Sequence, residues 1–144
     1  MRFFGLRQKL LALIISVSVV ALAGCQRSFP FRTVRVEGRV TYNDKPVPTG
    51  TVMFVPKGNG PPATGEIAPD GTYKMTTYVE FDGAVIDTHQ VSITALSFRQ
   101  DALPEEQALP PPIVPDKYLS HLTSELTADV REQEINVIDF KLVD

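Results

Sequence analysis

The sequence predicts an all-β fold, a single antiparallel β-sandwich of about seven short strands, and three observations carry that expectation. Beyond residue 33 the apolar side chains recur at every second position rather than with a helical period. Turn signals built on proline, glycine, asparagine and aspartate break the apolar runs at short intervals. Apart from one apolar stretch near the start, no segment has the length and period of a helix.

The first strand is the clearest. Val34, Val36, Val40 and Tyr42 alternate with Arg35, Glu37, Arg39 and Thr41, so one face turns to a core and the other to water. Gly38 falls on the inner face, a candidate bulge. Residues 43–50 (NDKPVPTG) read as a connection and residues 51–55 (TVMFV) as a second strand stopped by Pro56. After the loop 56–62, residues 65–67 and 72–76 flank Pro69-Asp70-Gly71. In that turn proline presets φ and glycine accepts a positive φ. Tyr73 and Met75 are then expected in the core.

Asp82-Gly83-Ala84 reads as a further turn, leading into residues 89–96, where Val91, Ile93 and Ala95 alternate with Gln90, Ser92 and Thr94. Residues 99–115 are acidic and carry Pro104, Pro110, Pro111, Pro112 and Pro115, which predicts a surface loop with one helical turn over 104–108. Two strands close the chain. In residues 124–130 Leu126, Ala128 and Val130 point inward; in residues 135–143 Ile138, Phe140 and Leu142 do so. Arg131 to Glu134 form the polar turn between them.

The opening of the chain carries a different message. Arg2, Arg7 and Lys9 precede an apolar segment, Leu10 to Ala23, that ends at the lone cysteine, Cys25. Basic start, apolar segment and small residues are the order of a secretion signal. At 14 residues the segment is shorter than the ~20 that a membrane-crossing helix needs. Leu22-Ala23-Gly24-Cys25 resembles, at all four positions, the lipobox of bacterial lipoproteins. That resemblance implies cleavage between Gly24 and Cys25, a diacylglyceryl group on the Cys25 thiol and acylation of the new amino terminus. The competing reading of a lone cysteine is a buried free thiol. The expected organisation is thus a signal peptide over 1–24, a lipidated tether over 25–33 and one domain over 34–144.

Of the 14 basic and 17 acidic side chains, three bases and no acids lie in residues 1–24, so the rest of the chain holds 11 bases against 17 acids, a net of −6. Such a balance argues against nucleic acid as a partner and against attraction to anionic head groups. Membrane attachment is expected through the lipid on Cys25. Gln26 lacks the aspartate that in some two-membrane bacteria retains lipoproteins at the inner membrane. A periplasmic or outer-membrane-facing domain is expected, with the outer membrane favoured.

"VEGRVTYNDKPVPTGTVMFVP" (36–56), "PDGTY" (69–73), "VPDKYLSHLTSELTADV" (114–130) and "NVIDFKL" (136–142) resemble carboxypeptidase-regulatory-like, or transthyretin-like, domains and the small bacterial lipoproteins that carry them. The resemblance spans most of residues 34–144. It implies a prealbumin-like, seven-stranded Greek-key sandwich and a non-catalytic module. Hydroxyisourate hydrolases of this fold end in Tyr-Arg-Gly-Ser, whereas this chain ends in Phe140-Lys141-Leu142-Val143-Asp144. Pilin and adhesin sandwiches join a first-strand lysine to a last-strand asparagine. Asn136 has the inward parity for that bond, but the first strand offers Arg35 and Arg39, which cannot form the amide.

The residues with chemistry are few. His89 shares parity with Val91 and is expected at the core or its rim. His121 follows Ser120, but neighbours on a strand face opposite ways, which argues against a nucleophile pair. Zinc would need more His or Cys ligands than the chain has. Asp70, Asp82, Asp101, Glu105, Glu106 and Asp116 offer oxygen ligands in or beside loops, as calcium prefers, though without a regular motif, and solvated turn carboxylates are the favoured reading; no cofactor is expected. Phe29, Phe31, Tyr78, Phe81, Phe98 and Tyr118 lie near turns, the tether or the long loop, and core or loop packing is the favoured role for most.

The functional expectation is a lipid-anchored, monomeric, non-enzymatic envelope module that binds an envelope protein or polysaccharide. The alternatives are a small envelope hydrolase using His89 or His121, and a structural spacer.

Overall fold

A computed structural model describes residues 28–97 and 111–144 of the chain. The segment expected as a signal peptide, with Leu22, Ala23, Gly24 and Cys25, together with Gln26, lies outside the described residues. So do Phe98, Asp101, Glu105, Glu106 and the helical turn expected over 104–108. Phe31–Asp144 form one compact unit, separate from Met1–Pro30.

The unit is all-β, with two sheets about one apolar core. β1 (Thr33–Tyr42) is the longest strand and organises the first sheet. Along one edge it pairs in succession, antiparallel, with β6 (Ala84–Val85), β5 (Thr72–Lys74) and β2 (Lys45–Pro46). Along the other edge β9 (Ile135–Val137) and β10 (Phe140–Leu142) run parallel to it. The second sheet, order β4-β3-β7-β8, is antiparallel: β4 (Ala63–Glu66), β3 (Thr51–Pro56), β7 (Asp87–Thr94) and β8 (Thr127–Val130). Where about seven strands are expected, the described residues hold ten segments, because the partners of β1 are short pieces that take turns along it.

The core follows from the period-two pattern. Val34, Val36 and Val40 of β1, Val91 and Ile93 of β7, and Tyr73 and Met75 are buried as their parity predicts, and Val52 and Phe54 of β3 are buried with them. Phe54 lies at the centre, edge-on to Tyr73 and Phe140 with centroids 6.4 and 6.0 Å away. Edge-to-face contact of this kind adds to the burial of the rings themselves.

The C-terminal strand expected over 135–143 is in fact broken at Ile138-Asp139. The Ile138 carbonyl turns inward and accepts the Tyr73 hydroxyl at 2.6 Å. A Cβ at Gly38 would sit 1.8 Å from the same oxygen. Gly38 therefore serves close backbone approach: its missing side chain admits the carbonyl that ends β9. Asp139 Oδ1 then accepts from the Arg39 amide at 2.8 Å, and β10 resumes the pairing. Asn43 and Asp44, read as part of a loose connection, both take left-handed φ (47° and 62°) and make a tight β1–β2 hairpin turn.

Ile113 donates to the Ala95 carbonyl, just beyond β7, at 2.8 Å. The chain then forms one 3-10 helix, Asp116–Leu119, that seats Tyr118 in the core. Tyr118 donates to the Val143 carbonyl at 2.9 Å, which ties the C-terminus down.

Candidate functional site

The most distinctive local structure lies between β5 and β6. Gly83 is held tightly against β1: its φ is +93°, and a Cβ there would meet the Val34 carbonyl oxygen at 1.7 Å. Its amide donates to Met75 O at 3.0 Å. Only glycine fits that approach. The preceding Asp82 uses its carboxylate to hold the loop, accepting from the amides of Thr77 at 2.7 Å and Tyr78 at 3.1 Å. The Thr77 hydroxyl donates to the Gly83 carbonyl at 2.7 Å. The Phe81 amide donates to the Thr76 hydroxyl at 3.0 Å.

This network leaves Phe81 at φ +60°, a left-handed conformation that a bulky L residue adopts at a cost. The residue is 52% exposed. Lys74 Nζ stands 5.6 Å from its centroid, a cation–π contact. An aromatic side chain held in a strained backbone and turned to solvent contributes little to the core, and such strain is typical of binding sites.

Phe81 stands between two depressions that share Phe81, Lys74 and Glu80. The larger, about 900 Å³, is floored by β4 and β5 and lined by Thr51, Thr64, Glu66, Ile67, Thr72 and Thr76 among others. The smaller, about 420 Å³, is bounded by Arg35, Glu37 and Ile135 on the outer face of the first sheet. Together they make an open trough on the scale of a ligand site. Beside the smaller one, on the same strand as Ile135, Val137 is 67% exposed.

The other candidate residues are placed differently. His89 has no exposed surface. Its Nε2 lies 2.9 Å from the Val85 carbonyl oxygen, which can only accept, so Nε2 carries the proton; Nδ1 is buried without a hydrogen-bond partner. The ring packs on Phe54 with centroids 5.5 Å apart. Burial pushes the imidazole pKa down, opposed by the Val85 hydrogen bond and by the Asp87 charge, and the ring is neutral. His121 is half-buried in a turn where Ser120 Oγ accepts the Leu122 amide at 3.2 Å.

Asp70 Oδ1 accepts the Thr72 amide at 3.0 Å and its hydroxyl at 2.7 Å, and these bonds hold its carboxyl below the ordinary range. Asp82 caps its own loop, and Asp116 is exposed at the start of the 3-10 helix. Among the described residues no three His, Cys, Asp or Glu gather closely enough to hold a metal. Of the candidate aromatics, Tyr118 is core, Phe31 is 37% exposed, and Phe81 is the one at the trough. The sequence marks the Asp82-Gly83 turn; it does not mark the strain that the turn imposes on Phe81.

Asn136 has a structural role. It is buried, and its side chain binds both backbone groups of Arg131 and accepts from Gln133 Nε2 at 3.0 Å.

Among the described residues no helix is long and apolar enough to cross a membrane. No protein-family model, curated protein or solved structure matches the chain.

Proposed function

We propose that the protein is a lipid-anchored, non-catalytic binding module of the bacterial cell envelope. Cleavage before Cys25 and acylation of that residue attach it to the membrane. The domain is a prealbumin-like Greek-key sandwich of the carboxypeptidase-regulatory-like kind, monomeric, facing the periplasm or the outer surface. It presents the Phe81 trough to an envelope protein or polysaccharide.

The observation that carries the reading is the four-residue match Leu22-Ala23-Gly24-Cys25 behind a basic start and a 14-residue apolar segment. Two or more acyl chains, at about 0.8 kcal/mol per buried methylene, suffice for stable anchoring where one does not. In support of the non-catalytic part, His89 has no surface with which to meet a substrate, and the Ser120 hydroxyl is engaged by the Leu122 amide.

Intact-mass analysis of the full chain, purified from a bacterial membrane fraction beside a Cys25→Ala variant, tests the anchor. The expected mass starts at Cys25 and includes a diacylglyceryl group and one acyl chain. An unmodified chain, cut or uncut, removes the lipid-anchored reading.

A further inference from the structure

We propose that the trough around Phe81 binds a linear, neutral polysaccharide; this rests on the binding-module reading above and gives its ligand a chemical class. Two independent observations meet at Phe81. Its backbone sits at φ +60° with its amide donating to the Thr76 hydroxyl, and the residue is half exposed between two depressions. The depressions lie on either side of Phe81 and share Lys74, Glu80 and Phe81 in their walls, so a chain-like ligand that crosses the ring meets both.

The ligand class follows from which polar groups remain available. β4 is paired on one edge with β3 and on the other through Thr64 with Thr76, at 2.9 and 2.8 Å, and Ile67 with Tyr73. β5 is paired with β1. The β4 and β5 backbone under the larger depression is therefore committed, and an extended peptide finds no free edge in that floor to join as a strand. What remains are the Thr51 and Thr64 hydroxyls, the Glu66 and Glu80 carboxylates and Lys74, the Thr72 and Thr76 hydroxyls being bonded to Asp70 and to the Phe81 amide. These suit a ligand rich in hydroxyl donors and acceptors. The open side of the Phe81 ring suits the C–H face of a pyranose. The residues beyond 24 carry a net charge of −6, and the trough mixes both signs, which disfavours a polyanion.

The test uses the full chain in detergent on an array of neutral gluco-, manno-, galacto- and N-acetylglucosamine oligosaccharides. Retention by at least one of these linear series is expected. It should persist between about 50 and 500 mM salt and fall about tenfold or more in Phe81→Ala. Phe81→Gly, which relieves the backbone, should lose binding while keeping its melting temperature, which separates a recognition role for the ring from a folding one.

Retention of no neutral glycan by folded protein overturns the assignment, as does equal retention by Phe81→Ala or loss of binding in salt. Benzoylphenylalanine in place of Val79, 46% exposed in the same loop, distinguishes the two levels of failure in cells. A blank array with a protein cross-link overturns the polysaccharide and leaves the binding module standing. A blank array with no cross-link overturns both.

Discussion

The side chain of Asn136 pairs with both backbone groups of Arg131: Oδ1 accepts the Arg131 amide at 3.0 Å, and Nδ2 donates to the Arg131 carbonyl at 3.0 Å. An asparagine amide thus acts as a strand neighbour for the end of β8, where the chain leaves one sheet for the other. Nδ2 also reaches the Arg35 carbonyl of β1 at 3.5 Å, so one buried side chain ties the crossover to the central strand.

Removing that side chain takes the partner from both part-buried backbone groups of Arg131, so Asn136→Ala should lower unfolding stability by about 1 kcal/mol. Asn136→Asp should be destabilising as well, because a carboxylate cannot donate to the Arg131 and Arg35 carbonyls. Urea denaturation followed by far-UV circular dichroism checks both.

Gly38→Ala places a methyl group 1.8 Å from the Ile138 oxygen, which must then withdraw from the Tyr73 hydroxyl. A loss of about 3 kcal/mol is expected, the upper end for overpacking. Tyr73→Phe removes only the hydrogen bond and should cost about 1 kcal/mol. The double variant should lose less than the sum of the two, since both changes act on one carbonyl.

His89 is neutral in the fold and its pKa is pushed below the ordinary histidine value by burial. The unfolded chain therefore binds the extra proton first, and stability falls as pH drops below about 6.5. His89→Leu should abolish that slope between about pH 7 and 5, while costing about 1 kcal/mol at neutral pH for the unpaired Val85 carbonyl. Asp70 and Asp87, both held below the ordinary carboxylate value by hydrogen bonds, add a separate loss in the same direction at lower pH. Melting temperature against pH separates the two windows, and a wild-type curve flat from pH 7 to 5 would contradict the burial of a neutral His89.

Phe81 and Gly83 lie two residues apart and should respond oppositely. Phe81→Gly removes a left-handed phenylalanine and should leave stability unchanged or raise it by about 0.5–1 kcal/mol. Gly83→Ala drives a methyl group into the Val34 carbonyl and should cost about 3 kcal/mol. Differential scanning calorimetry of the two variants reads both signs.

The strands with one wet and one dry face were legible because burial imposes a period of two on the residues themselves. Val34, Val36 and Val40 of β1 and Val91 and Ile93 of β7 obey it, and so do Tyr73 and Met75. Turns built on Pro69-Asp70-Gly71 and Asp82-Gly83 were legible because φ preference belongs to the residue. The resemblance at Leu22-Ala23-Gly24-Cys25 is likewise carried by a run of neighbours in the sequence.

The break at Ile138, the hold of Asn136 on Arg131 and the strained Phe81 were not. Each depends on a partner brought close only by folding: Gly38 and Tyr73 for Ile138, the crossover turn for Asn136, the press of Gly83 against Val34 for Phe81. Local propensity and alternation therefore determined which segments became strands, and tertiary packing decided where those strands stop and which aromatic ring faces water. Distant contacts leave no periodic mark in the chain.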